Sequence, residues 1–157
     1  MLSPHNDVQT ALQCERDALH AFVALLERAQ SALIENLTDE VMDLAEQKSE
    51  QALHLNALVE ARTALFKQRY NGLNPASIQQ ELQTKDTRSW NIWLELRDLA
   101  ARAQHLNQSS GELIQLKLRH NQQALSILNS ATQQANLYGA NGQPSFTPGS
   151  GRTLGSA

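Results

Sequence analysis

Apolar residues in the first quarter of the chain fall on a helical period. Val8, Leu12, Leu19, Phe22, Leu26, Ala29 and Leu33 are separated by three, four or seven positions, which aligns them along one side of a helix as a heptad seam. Ser3 is placed to cap that helix and Pro4 to occupy its first position, and the pattern continues to about Asn36. Glu15 interrupts the seam with a charge. Asn36-Leu37-Thr38-Asp39-Glu40 then reads as a break: Thr38 suits an N-cap, and Asp39 and Glu40 suit the positive end of a helix dipole. A second helix over about 39–70 carries Val41, Leu44, Leu55, Leu58, Val59, Leu65 and Phe66 on one side, interrupted by Lys48 and Arg62. Folding back at 37–38, the two helices make an antiparallel hairpin that sets Glu27 beside Lys48 and Glu15 near Arg62. Such pairs are either solvated rim charges or devices that fix register. Neither is catalytic.

Tyr70-Asn71-Gly72-Leu73-Asn74-Pro75 is a run of turn formers with Gly72 as the expected C-cap, followed by a short crossover helix from Pro75 to about Leu82. A last helix runs from about Thr87 to Asn136, with Trp90, Trp93, Leu94, Leu96 and Leu99 giving bulk to its first half. At the rise of an α-helix it would measure about 75 Å, against about 48 Å for each of the first two, so its distal third has no hairpin to lean on. Ser109-Ser110-Gly111 offers a bending point there. Five of the seven glycines and two of the four prolines lie beyond Tyr138, which separates a folded part from a tail. The expected fold is all-α: an elongated antiparallel helical bundle of three long helices plus a short crossover helix. It forms a single helical domain over 1–137, with a flexible, disordered C-terminal tail over 138–157.

Composition narrows the function more by exclusion than by indication. The chain is 41 % apolar, mostly Leu and Ala, and 4 % aromatic, which favours helix over sheet. Its net charge is −3, and no window concentrates Lys and Arg, so nucleic acid is not an expected partner. A single cysteine, and an N-terminus without a basic stretch followed by an apolar one, point to the cytoplasm. No apolar run is long enough for direct membrane insertion. His5, His20, His54, His105 and His120 form no Glu-x-x-His, His-x-x-x-His or His-Glu-x-x-His spacing, so no metal site is expected. Cys14 has no basic cluster beside it and is expected as a small buried hydrophobe; His120, on an apolar face, is expected packed or half-exposed. Glu40, Asp43, Glu46 and Glu50 make a solvated acidic face. No nucleophile elbow, phosphate loop or dinucleotide fingerprint occurs, so neither enzymatic activity nor a cofactor is expected.

The distal helix is the part that asks for a partner. Leu113, Ile114, Leu116, Leu118, Ala124, Leu125, Ile127, Leu128 and Ala131 form two adjoining stripes, wider than one coiled-coil seam. Burying a Leu or Ile is worth about 1.5 to 3 kcal/mol, so four left wet would forgo about 6 to 12 kcal/mol. Three covers are available: the helix bends at Gly111 onto itself, two copies pair as a homodimer, or an amphipathic helix of another protein lies on the face.

The residues of this region resemble a known family. Leu106-Asn107-Gln108-Ser109-Ser110-Gly111-Glu112-Leu113-Ile114, then Arg119-His120-Asn121-Gln122-Gln123-Ala124-Leu125-Ser126-Ile127-Leu128, then Leu137-Tyr138-Gly139-Ala140-Asn141-Gly142-Gln143 are similar to the C-terminal pattern of FlgN-type bacterial flagellar export chaperones. Glu46-Gln47-Lys48, with Leu53, Leu58 and Arg62 after it, looks like the second-helix pattern of that family. The resemblance implies a non-enzymatic type III secretion chaperone that holds the hook-filament junction (hook-associated) proteins in the cytoplasm and delivers them to the export apparatus. It implies client binding, through the C-terminal amphipathic helices of those proteins, on Leu113, Ile114, Leu116, Leu118, Leu125, Ile127 and Leu128. It further implies docking of Tyr138 on the cytosolic domain of the flagellar export gate membrane protein. Two plainer alternatives stand beside these expectations: Tyr138 tucks back against the helix end, and the whole chain is a self-associating structural bundle.

Overall fold

The computed structural model describes the backbone over residues 4–138 and the side chains over 6–136. The described residues form four helices and no strand: α1 (Pro4–Ile34), α2 (Thr38–Arg69), α3 (Pro75–Lys85) and α4 (Thr87–Tyr138). The all-α expectation holds. The chain divides into two compact units, Met1–Leu113 and Ile114–Ala157.

In the first unit, α1, α2 and the opening turns of α4 run up, down and up. Contacts between α1 and α4 climb both helices together, from Arg16 with Glu95 to Gln30 with Ser109. Those between α2 and α4 climb one and descend the other, from Arg62 over Trp93 to Lys48 with Asn107. The core has three parts. Val8 and Leu12 of α1 meet Phe66 of α2, Leu82 of α3 and Ile92 and Leu96 of α4, with Trp90, Trp93, Tyr70 and Ile78 packed around them. Val23 and Leu26 meet Ala103 and Leu106. Near the α1–α2 turn, Leu25 and Ala32 meet Leu44.

Val23, Leu25 and Ala32 lie outside the single seam read from the sequence, and the three-helix arrangement explains why. A helix with two neighbours buries two stripes, one toward α2 and one toward α4, whereas a hairpin partner needs one. Conversely Leu94 is 39 % exposed while Ile92 is buried, because α4 turns the 92/96/99/103/106 row toward its neighbours. Cys14 is exposed; two positions from the fully buried Leu12, it points about 200° round the helix, and the expectation of a buried thiol is corrected. His120, expected packed or half-exposed, is exposed.

The seam charges resolve differently from one another. Glu15 meets Arg62 as expected, with Nε to Oε2 at 2.5 Å and Nη2 to Oε1 at 3.3 Å, and their side chains are only 9 % and 15 % exposed. The Arg62 guanidinium also lies over the Phe66 and Trp93 rings, 5.4 and 5.0 Å from their centroids. Glu27 does not meet Lys48. It pairs with Arg102 of α4, while Lys48 Nζ donates to Asn107 Oδ1 at 2.5 Å, because α4 lies within reach of both residues and takes each as a partner.

Local signals at the breaks were partly displaced. Thr38 is the first residue of α2, not its cap: Leu37 stands at the N-cap without a side-chain hydrogen bond, after Asn36 in the left-handed region at φ 58°. Gly72 does not cap α2, which ends at Arg69 with Tyr70 as its C-cap. It sits at φ +82° in a turn closed by Leu73 N–H donating to the Tyr70 carbonyl at 2.9 Å, the third position of a type II turn, where glycine is favoured. Asn74 caps α3, its Oδ1 accepting from Ser77 N–H at 2.8 Å, with Pro75 next. Asp86 begins α4 in the same way, accepting from Ser89 N–H at 3.1 Å and from Ser89 Oγ at 2.6 Å. Ser3, the expected cap of α1, lies outside the described residues.

Candidate binding surface

The second unit is carried by α4 from Ile114 onward, and its described residues contain no core. Ile114, Leu116, Leu118, Leu125, Ile127 and Leu128 are between 44 % and 71 % exposed. These are six of the seven residues expected to bind a partner. The seventh, Leu113, is half-buried and is the last residue of the first unit. At 100° per residue, Ile114, Leu118, Leu125 and Leu128 fall on one stripe, and Leu116, Ala124, Ile127 and Ala131 on an adjoining one. Together they span more than half of the helix circumference, and all eight are open to solvent.

Helix propensity favours a helix over this segment. Gln, Leu, Ala, Lys and Arg dominate it, and each loses little rotamer freedom in a helix. Thr132 donates its hydroxyl to the Leu128 carbonyl at 2.9 Å, one turn back, so it competes with no partner. Gly111, just before the unit, is helical; a Cβ built there meets nothing within 4 Å, and the assignment of α4 is unbroken from Thr87 to Tyr138. Tyr138 closes the helix, and its side chain lies outside the described residues, as does the tail over 139–157.

Electrostatics divide along the same line. All 16 acidic residues lie between Asp7 and Glu112, whereas 114–157 carry Lys117, Arg119 and Arg152 and no acid. The first unit is therefore net negative and the second net positive. Net charge for the whole chain conceals this polarity, and a search for clustered basic residues misses it, because the second unit is distinguished by missing acids rather than by many cations.

A pocket that no sequence motif announced opens beside the α2–α3 turn. Arg62, Phe66, Tyr70, Leu73, Ile78 and Trp93 are among its lining residues, and it encloses about 730 Å³. Trp93 Nε1 is buried there without a hydrogen-bond partner among the described residues. Burial pushes the Tyr70 hydroxyl above its ordinary value; Arg69 opposes the shift, and Asp86 and Glu81 add to it. The legible signal was the turn run at 70–75, whose aromatic and leucine residues now border the opening. Among the described residues no group of three or more His, Cys, Asp and Glu side chains could hold a metal, and none of the described helices is long and apolar enough to cross a membrane. The arrangement offers exposed apolar surface on α4 and an aromatic-lined pocket beside the α2–α3 turn.

Comparison with known proteins identifies a family. The family described as FlgN protein matches this chain over residues 1–145. No curated protein and no solved structure matches it. With the match running through all four helices, the chain belongs to the FlgN family of flagellar chaperones.

Proposed function

We propose that the protein is a cytoplasmic chaperone of flagellar type III export. It binds the C-terminal amphipathic helices of hook-filament junction proteins, keeps them export-competent and delivers them to the export gate. The observation that carries this reading is the row of six large aliphatic side chains left open on α4 beyond Gly111. A face of this kind, on a helix rich in strong helix formers, matches the groove-and-helix mode of recognition. Family membership supplies the flagellar setting. Tyr138, just past the apolar rows, is proposed to dock on the cytosolic domain of the export gate membrane protein, because an amphipathic aromatic fills a pocket at low entropic cost.

The test is capture of a junction protein's C-terminal helix by the full chain. Leu125→Asp with Leu128→Asp should weaken it by about 3 to 6 kcal/mol, at least a hundredfold, with the helical circular dichroism of the first unit unchanged. Tyr138→Ala should retain the client while lowering its export. If the double variant captures the client normally, the chaperone surface is elsewhere; if it instead dissociates a stable homodimer, the face serves self-association.

A further inference from the structure

Aromatic walls and partnerless polar groups meet in the pocket beside the α2–α3 turn. Phe66, Tyr70 and Trp93 line it; the Phe66 ring stands edge-on to Tyr70 with centroids 5.5 Å apart and tilted to Trp93 at 6.1 Å. Rings at such angles favour a further ring in offset or edge-to-face contact over an aliphatic group of equal size, and about 730 Å³ holds a ring together with the chain that carries it. Asn71 and Gln79 also line the opening, and neither side chain makes a hydrogen bond to another described residue. Each amide has donors and an acceptor, the complement of a peptide unit. Leu73, on the turn at the rim, is 43 % exposed. A small molecule held inside the pocket leaves Leu73 wet, whereas a polypeptide crossing the turn covers it and reaches both amides.

The charged groups fix what flanks the ring. Arg62 and Lys67 line the pocket and no acid does, but the two cations are not alike. Arg62 already holds Glu15 and covers two rings. Lys67 is exposed and has no ion pair or hydrogen bond to another described residue. Trp93 Nε1 is closed off from solvent, and Glu81 and Asp86 act on the Tyr70 hydroxyl and repel a further acid there. A carboxylate on the guest therefore belongs beside Lys67. No aromatic residue of this chain has an acid next to it in sequence, so a second copy does not supply the pattern. We propose that the pocket docks a segment of another polypeptide in which an aromatic residue adjoins an acid: the ring enters among Phe66, Tyr70 and Trp93, and the carboxylate pairs with Lys67. The site uses no residue of the client-binding face and is independent of that reading.

The experiment titrates the full chain, labelled with nitrogen-15, with short blocked Gly/Ser peptides carrying Phe-Asp, Phe-Lys or Leu-Asp at the centre, and with phenylacetate. Gly72 lines the pocket and Gly111 does not, so their amide signals locate binding. Phe-Asp should shift the Gly72 amide and the Trp93 indole signals and leave Gly111 in place. Phe-Lys should bind about fivefold more weakly, by loss of the ion pair, and Leu-Asp about threefold more weakly, by loss of the ring contacts. Lys67→Glu, at an exposed position outside the core, keeps the helical signal and should prefer Phe-Lys. An absence of shifts, shifts at Gly111 instead of Gly72, equal binding of Leu-Asp, or an unchanged charge preference in Lys67→Glu overturns the proposal. Phenylacetate binding as tightly as Phe-Asp overturns it in favour of a small-acid site. Gly72 shifts that grow with protein concentration in the absence of peptide overturn it in favour of a second copy.

Discussion

Glu15 occupies a seam position where the heptad pattern calls for an aliphatic residue, and its burial decides how its charge works. A carboxylate that is 9 % exposed, held by a guanidinium that also covers two aromatic rings, has lost most of its water and depends on its partner. Glu15→Gln leaves Arg62 buried without its counter-charge and should cost about 3 kcal/mol in urea unfolding, whereas replacing both residues with Leu should cost much less. Equal losses in the two variants would mean that packing, not charge, is what Glu15 supplies. Tyr70 provides a pH signature of the same region. Its folded-state value is raised, chiefly by burial, so its contribution to stability is complete below the ordinary tyrosine range and is lost as pH rises through the elevated folded value. With Tyr138→Phe, Tyr70 is the remaining tyrosine of the two in the chain. Its ultraviolet titration in that variant should lie above pH 10 in the native protein and return to about 10 in urea; coincident titrations would contradict burial of the hydroxyl.

At the scale of elements, α1 is determined by its neighbours and the distal half of α4 by its own composition. α1 buries two stripes because α2 and α4 both lie against it, and no single period in its sequence announces the second. The segment beyond Gly111 shows the reverse: strong helix formers, with no buried side chain among the described residues, favour a helix by local preference. Gly111 lies where this change occurs. It is not in the left-handed region and has open space around it, so Gly111→Ala should stabilise the helix by about 0.5 to 1 kcal/mol and raise the melting temperature by about 2 to 4 °C. If α4 must bend there to receive its guest, the same variant will bind a client helix less tightly, which calorimetry and anisotropy measure separately.

Considered whole, the molecule assigns stability to one part and exposed apolar surface to another. Every buried hydrophobic side chain in the described residues lies between Val8 and Leu106. Deleting 114–157 should therefore leave a cooperative unfolding transition nearly unchanged while abolishing client capture; loss of cooperative unfolding would mean that the distal segment completes the core. Charge follows the same division, with acids confined to the first unit. Sequence alone determined what depends on local chemistry: four helices with boundaries within a few residues, the breaks at 35–37 and 70–74, the Glu15–Arg62 pair, and the surplus of aliphatic residues beyond Gly111. Each rests on period, propensity or a turn residue acting over a few positions. Tertiary structure alone decided which neighbour each face meets: Glu27 with Arg102 instead of Lys48, Val23 and Ile92 inside, Cys14 outside, and a pocket between Tyr70 and Trp93. Those outcomes depend on where a third helix lies, and one period along a chain specifies a face but not the number of partners that cover it.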